Sequence, residues 1–348
     1  MKKKRLRKRK ILAYSLPFLS SVGLLWYALE KVSLVQIGRQ FQEANYFWLS
    51  LSLALGVISN WARAQRWAIV LQAMGYRVSI WQATVAVFAG YFLNFLVPRA
   101  GEVARCTVVQ RSSQVPIAVS VGTIITERIL DVLILFVLIG VLLLAEVGNM
   151  TALVWRFLEQ KIPQWISYNF YFWVVMSVIL IGGLLCVGLV WYWVRQPNHV
   201  IGQRLKRIGA GIWQGVISLK DVKRKGEFIF YSIFIWVLYY LMGYVLFFCF
   251  PSTAHLDMWF AYIILIIGTI GMSAPVQGGA GAYHLLVGNL FALRNLTVEE
   301  GVLLATFMHA TQSIMVLVLG GTAFFYSIWT SSKNLPEATE NGNGIGNK

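Results

Sequence analysis

Between positions 94 and 111 an apolar arm gives way to Asn94, Pro98, Arg99, Gly101, Glu102, Arg105 and Arg111 in quick succession. If helix resumes after Gly101, then Arg99, Glu102 and Arg105 fall three apart, so Glu102 can pair with either arginine while the other stays available to an anion. Helix-opening amides at such a break add partial positive charge. Together these groups would cradle a phosphate. The plainer alternative is a solvated loop with ordinary salt bridges.

A second set follows at Ser120, Thr123, Glu127 and Asp131, which steps of about 100° per residue place on one narrow helical stripe bordered by Arg128. The same face continues as Ile134, Leu135 and Leu138, so the polar patch occupies one end of an apolar helix and must face protein or a cavity. Two carboxylates and an arginine suit a cationic headgroup or a transferable proton. They equally suit a structural pair that locks the helix to Arg63 or Arg99.

Arg63 and Arg66, with Asn60 and Trp67, close another apolar run, where basic and aromatic residues anchor helices or share in binding lipid phosphate. Near the C-terminus, Pro275, Gly278, Gly279 and Gly281 break the chain just before His284, and His309 shares a face with Thr306 and Ser313. Membrane histidines serve as hydrogen-bonded packing or as functional groups; the broken backbone makes His284 the stronger functional candidate. The four histidines lack HExxH-like spacing, which argues against zinc, and no Lys-Ser/Thr follows the glycines as a P-loop requires. No metal or cofactor is expected. Cys106, Cys186 and Cys249 are scattered and read as small apolar fillers.

The elements that must hold these groups are set by composition. The chain is 58% hydrophobic and 13% charged, with a mean hydropathy of +0.65, so its solvent is lipid. Apolar segments lie at 11–29, 46–62, 79–97, 118–145, 170–194, 228–250, 258–274 and 302–329, with a shorter piece at 282–293. No period-two alternation suggests a barrel, so the expected fold is all-α: a polytopic integral membrane helical bundle of about 6–8 spans.

The net charge of +16 sits mainly in two blocks, eight of the first ten residues and a second group from Arg195 to Lys225. Both flank apolar spans, which points to cytoplasmic loops and anionic headgroups rather than nucleic acid. Simple alternation of the eight segments would put 195–227 outside. Making 79–112 a re-entrant hairpin restores the parity, and the same device recurs at 258–293. The alternative is that these prolines and glycines only kink ordinary spans. With both hairpins re-entrant the halves at about 46–145 and 228–329 run in opposite directions, the pattern of an inverted repeat whose broken helices build a transport site. The expected organisation is a basic cytoplasmic N-terminus at 1–10, with no signal-cleavage site after it, one membrane domain at 11–330 and a disordered polar tail at 331–348. Both termini are expected in the cytoplasm.

Four stretches resemble the lysylphosphatidylglycerol synthase transmembrane, or flippase-like, family of prokaryotic membrane proteins. They are Arg63-x-x-Arg66-Trp67, Asn94-x-x-x-Pro98-Arg99-x-Gly101-Glu102-x-x-Arg105, Glu127-Arg128-x-x-Asp131 and Pro275-x-x-Gly278-Gly279-x-Gly281. The family often carries an acidic residue shortly after the last glycine motif, where this chain has Tyr283-His284. The resemblance implies a prokaryotic cytoplasmic membrane and the family's membrane half without an aminoacyl-transferase half. It implies a lipid translocase or lipid-binding protein, not an enzyme, that handles phospholipids or lipid-linked phosphates with anionic or aminoacylated headgroups. The expected partners are membrane lipids, with a homo-oligomer or a lipid-modifying enzyme as protein partner. A membrane-embedded transferase acting on a lipid phosphate is the alternative, although no nucleotide-sugar site or acidic metal motif is visible. A non-transporting scaffold is the third reading.

Overall fold

The computed structural model describes residues 22–30, 32–97, 100–159, 222–274 and 276–333. These residues form helices throughout, with no strand among them. The chain divides into two compact units, one of 1–121 with 222–348, the other of 122–221. Pro98, Arg99, Pro275, the segment at 170–194, the basic 195–221 stretch and both terminal tails lie outside the described residues.

In the first unit a helical stretch at 22–29 precedes α1 (Leu34–Glu43), α2 (Tyr46–Ala73), α3 (Ile80–Leu96) and α4 (Ala100–Ser113). After the second unit come α6 (Lys225–Val245, continued by a 3-10 turn to Cys249), α7 (Met258–Ser273), α8 (Ala282–Ala292) and α9 (Val298–Lys333). Helix α5 (Ile117–Glu159) starts in the first unit and continues into the second. Among the described residues three helical stretches are long and apolar enough to cross a bilayer: Ile117–Ala145, Lys225–Cys249 and Val298–Thr330. Helices α3 and α7 are apolar but shorter, at 17 and 16 residues.

Local chemistry sets these boundaries. Ser79 caps α3 and Gln82 reaches back to the Ser79 N–H at 2.9 Å, a reciprocal capping box. Ser33 with Gln36 opens α1 in the same way, and Thr297 with Glu300 opens α9. Asp257 caps α7 by accepting from the Phe260 N–H at 2.7 Å. Just before α6, Arg224 Nε donates to Glu227 at 2.6 Å, and this bond holds the guanidinium above its ordinary range.

Helices α3 and α4 form a tight antiparallel hairpin. At its base Gln82 Nε2 donates to the Ser112 carbonyl at 2.9 Å. Towards its tip Gly90 and Gly101 pack main chain against main chain; a Cβ on Gly90 would lie 2.9 Å from the Gly101 carbonyl oxygen. Helices α7 and α8 repeat the arrangement. Gly271 meets Tyr283 so closely that a Cβ would lie 2.9 Å from the Tyr283 Cα, and at the base Phe260 and Phe291 pack with ring centroids 5.5 Å apart. Arg294 lies 3.8 Å from Asp257 there.

The two hairpins face each other end to end. The side-chain amide of Gln277, in the second tip, donates to the carbonyls of Phe95 and Leu96 in the first. Helix α9 runs along both. Its Gly301 packs on Gly288 of α8, whereas Gly320 lies against α3, where a Cβ would sit 2.7 Å from the Phe88 carbonyl. Further along α9, Tyr326 reaches Trp81 near the base of the first hairpin, at 6.0 Å between centroids. Helices α2 and α6 pair antiparallel beside them, with Ser52 Oγ donating to the Met242 carbonyl at 2.9 Å and Trp61 on Tyr231. A phenylalanine-rich core of Phe247, Phe260, Phe291 and Phe307 fills the second-hairpin end.

Two boundaries differ from the sequence expectation. Helix α2 runs to Ala73 rather than ending near 62, and its last turns carry Arg63, Gln65 and Arg66 buried within the fold. Helix α5 continues through 146–159, which reads as a connection from hydropathy alone. No proline interrupts the sequence there until Pro163, so falling apolarity ends the apolar run without ending the helix.

Candidate functional site

Arginine burial marks the candidate site in the first unit. Arg63, Arg66 and Arg105 are all buried, with Arg66 at 1% exposure and Arg105 at 6%. The first two project from α2 and the third from α4. Arg63 donates through Nη2 to the Tyr239 hydroxyl of α6 at 2.8 Å, and its guanidinium lies 5.9 Å from that ring's centroid. Arg105 lies over Trp67 of α2, 3.9 Å from the ring centroid. Helix α2 carries no carboxylate, and the one on α4, Glu102, is exposed. Glu102 and Arg105 are three apart as the sequence suggested, yet one faces out and the other in.

Asn94 takes a structural task at the break. Its Oδ1 accepts the Gly101 N–H at 2.8 Å, so the end of α3 caps the start of α4 across the hairpin. Gly101 itself is buried in the close approach to Gly90. At the second tip, Gly278, Gly279 and Gly281 all have positive φ (58°, 72° and 81°), a conformation costly for residues with a Cβ. His284 Nδ1 accepts the Gly281 N–H at 3.1 Å, and His309 Nε2 bonds the Gly278 carbonyl at 2.8 Å. The two imidazoles stand 4.9 Å apart, with Tyr283 5.4 Å from His309.

On α5, Ser120, Thr123 and Glu127 are buried, Asp131 is half-buried and Arg128 is exposed. The predicted stripe is therefore a real difference in exposure along one helix. Glu127, Arg128 and Asp131 belong to the second unit.

Several residues of this region escape a sequence reading. Tyr239 and Gln277 carry no local signal, and their partners lie 176 and more than 180 positions away. Trp236 is buried on α6, and its indole N–H has no acceptor among the described residues. A single tryptophan in an apolar run gives no hint of this. Trp67 was visible only as part of a basic-aromatic cluster.

An all-helical unit of opposed hairpins, with arginines buried between apolar helices, defines a polytopic membrane protein. The Lysylphosphatidylglycerol synthase TM region family matches residues 13–320, and the chain belongs to it. No curated protein and no solved structure gives a significant match.

Proposed function

We propose that this chain is a lipid translocase, or a lipid-binding protein of the same build, that accommodates phospholipid or lipid-linked phosphate headgroups beside Arg63, Arg66 and Arg105. The observation that carries this reading is the meeting of the two hairpin tips through Gln277 and the carbonyls of Phe95 and Leu96. Broken helices that meet inside a bundle are tolerated at membrane depth where they line a protein-enclosed path. Helices α3 and α7 would each span about 25 Å, less than the apolar thickness of a bilayer, whereas the 36 residues of α9 cover both in series. This supports two re-entrant hairpins entering from opposite faces.

Charge supports the orientation. The base of the first hairpin and the neighbouring helix ends carry Arg77, Arg111, Lys223, Arg224 and Lys225, against Glu227. The opposite end carries Glu43, Asp257, Glu299 and Glu300, against Arg39 and Arg294. By the positive-inside rule the first end is cytoplasmic. The N-terminus, the 195–227 segment and the C-terminal tail then lie inside, and 11–330 forms one membrane domain in the prokaryotic cytoplasmic membrane.

Guanidiniums bind phosphate oxygens bidentately, and in a low-dielectric interior that contact is strong. Arg99, and on the second unit Arg128 with the carboxylates Glu127 and Asp131, are further headgroup-binding candidates on the sequence pattern alone, the carboxylates suiting an aminoacylated headgroup's ammonium. Trp236 adds a buried donor. The test is reconstitution of the full chain in liposomes with fluorescent phosphatidylglycerol. Headgroup movement without turnover is the expected result; a new covalent product supports a transferase, and neither result supports a scaffold.

A further inference from the structure

The tautomers of His284 and His309 follow from their backbone partners. A main-chain carbonyl only accepts, so His309 Nε2, 2.8 Å from the Gly278 oxygen, carries a hydrogen. A main-chain N–H only donates, so His284 Nδ1, 3.1 Å from the Gly281 nitrogen, presents its lone pair and its hydrogen sits on Nε2. The two rings are therefore not equivalent towards a further proton.

His309 takes a proton at Nδ1 and keeps its bond to Gly278, which becomes charge-assisted and stronger. Tyr283, its ring centroid 5.4 Å away, offers an aromatic face to the resulting imidazolium. His284 takes a proton only at Nδ1, where it would displace the Gly281 N–H and undo the cap of α8. Two imidazoliums 4.9 Å apart in an apolar interior would also repel strongly. We propose that His309 and His284 form a site for a single proton, held on His309, with His284 kept neutral as the acceptor of the Gly281 N–H.

Among the described residues, the helices packed around this pair carry the following titratable and charged groups. Helix α7 contributes Tyr262, α8 contributes Tyr283 and α3 contributes Tyr91. Helix α9 has no charged residue between Glu300 and Lys333, and its one tyrosine is Tyr326. Helix α6 carries Lys225 and Glu227 at its far end, with Tyr231, Tyr239, Tyr240 and Tyr244 beyond them. The helical stretch at 22–29, whose Leu24 meets Gly281, has Tyr27. Arg63 and Arg66 are the charged residues of α2, while Asp257 and Arg294 stand at the opposite end of the second hairpin.

Occupancy of this site acts on the tip junction. Gly278 adjoins Gln277, whose amide bridges to Phe95 and Leu96, so a proton on His309 tightens the second tip against α9 while Gln277 holds the first tip. Resting on the translocase reading, the proton is the ion that biases the two tips between joined and parted states.

The test uses the full chain, labelled with 15N-histidine, in phosphatidylglycerol liposomes, observed by solid-state NMR from about pH 8 to about pH 4, across the ordinary imidazole range. His309→Gln and His284→Gln assign the signals. The expected result is that the His309 signal converts to the doubly protonated form while the His284 signal keeps an unprotonated Nδ1 through that conversion. A His309 signal that stays neutral throughout, or both rings charging together, overturns the proposal. The wild-type spectra stand even if a variant fails to fold, because His199 and His255 can be assigned by their own substitutions. Headgroup movement measured on the same liposomes separates the two ideas. Selective protonation of His309 without movement at any pH keeps the proton site and removes the translocase; movement whose pH profile flattens in His309→Gln supports both.

Discussion

The guanidinium of Arg105 lies 3.9 Å over the indole of Trp67, joining the first hairpin to α2 at the depth where Arg63 and Arg66 are buried. Such stacking contributes about 0.5–2 kcal/mol, the upper end applying when the pair is desolvated. Arg105→Ala is expected to abolish headgroup movement, and Arg105→Lys to restore only part of it, since an ammonium neither stacks nor forks onto phosphate as a guanidinium does. Trp67→Phe should retain more activity than Trp67→Leu. Liposome assays with fluorescent phosphatidylglycerol, read against the amount of folded protein, check all four. Full activity in Arg105→Ala would take this arginine out of the site.

Arg99 lies outside the described residues, and its role rests on the sequence pattern. Arg99→Ala should eliminate function with little loss of folded protein, while Arg99→Lys should recover a fraction. The same liposome assay, with size-exclusion profiles as the folding control, decides between a binding residue and a bystander.

Close packing of Gly90 on Gly101 makes the first hairpin intolerant of a Cβ. Gly90→Ala or Gly101→Ala is expected to destabilise the fold by about 1–3 kcal/mol through forced separation of α3 and α4. Gly140→Ala is the control, because nothing lies within 4 Å of a Cβ there. Thermal unfolding in detergent measures the difference; equal midpoints for Gly101→Ala and Gly140→Ala would contradict the hairpin packing.

Gln277→Leu keeps the size of the side chain and removes the donor that joins the tips. Two carbonyls in this partly exposed junction then lose this donor, at about 0.5–1.5 kcal/mol per hydrogen bond lost. Hydrogen exchange should rise at 94–97 and 276–281 and stay unchanged along α2 and α6. Exchange that is unaltered at both tips would show that the junction does not depend on this amide.

Orientation is read by single-cysteine labelling with an impermeant maleimide, after replacing Cys106, Cys186 and Cys249. Ser252→Cys is expected to label from outside intact cells, and Arg77→Cys only once the membrane is opened. Sites near Gln160 should behave like Ser252, and sites near Lys220 like Arg77. External labelling at Arg77 would overturn the opposed re-entrant hairpins.

Much of the helical layout was legible in the sequence because lipid leaves few choices for apolar runs. The segments expected at 79–97 and 258–274 appear as Ile80–Leu96 and Met258–Ser273, their starts fixed by Ser79 and Asp257 and their ends by breaks before Pro98 and Pro275. These are local signals, read within a few residues. The end of α2 was misplaced for a physical reason. Arg63 and Arg66 are costly in lipid, so hydropathy stops the span before them, but protein burial lets the helix run on to Ala73. The asymmetry between exposed Glu102 and buried Arg105 has the same origin.

The sequence by itself determined most of the apolar helices among the described residues, the two breaks and the family, because cap residues, prolines, glycines and apolar length act over neighbouring positions. Only the tertiary structure decided which of the singled-out residues meet. Arg105 finds Trp67, Gln277 finds Phe95 and His309 finds Gly278, each across a separate pair of elements. Those partners are chosen by how closely glycine-faced helices approach and by which end of each hairpin faces the other. No single segment encodes that geometry.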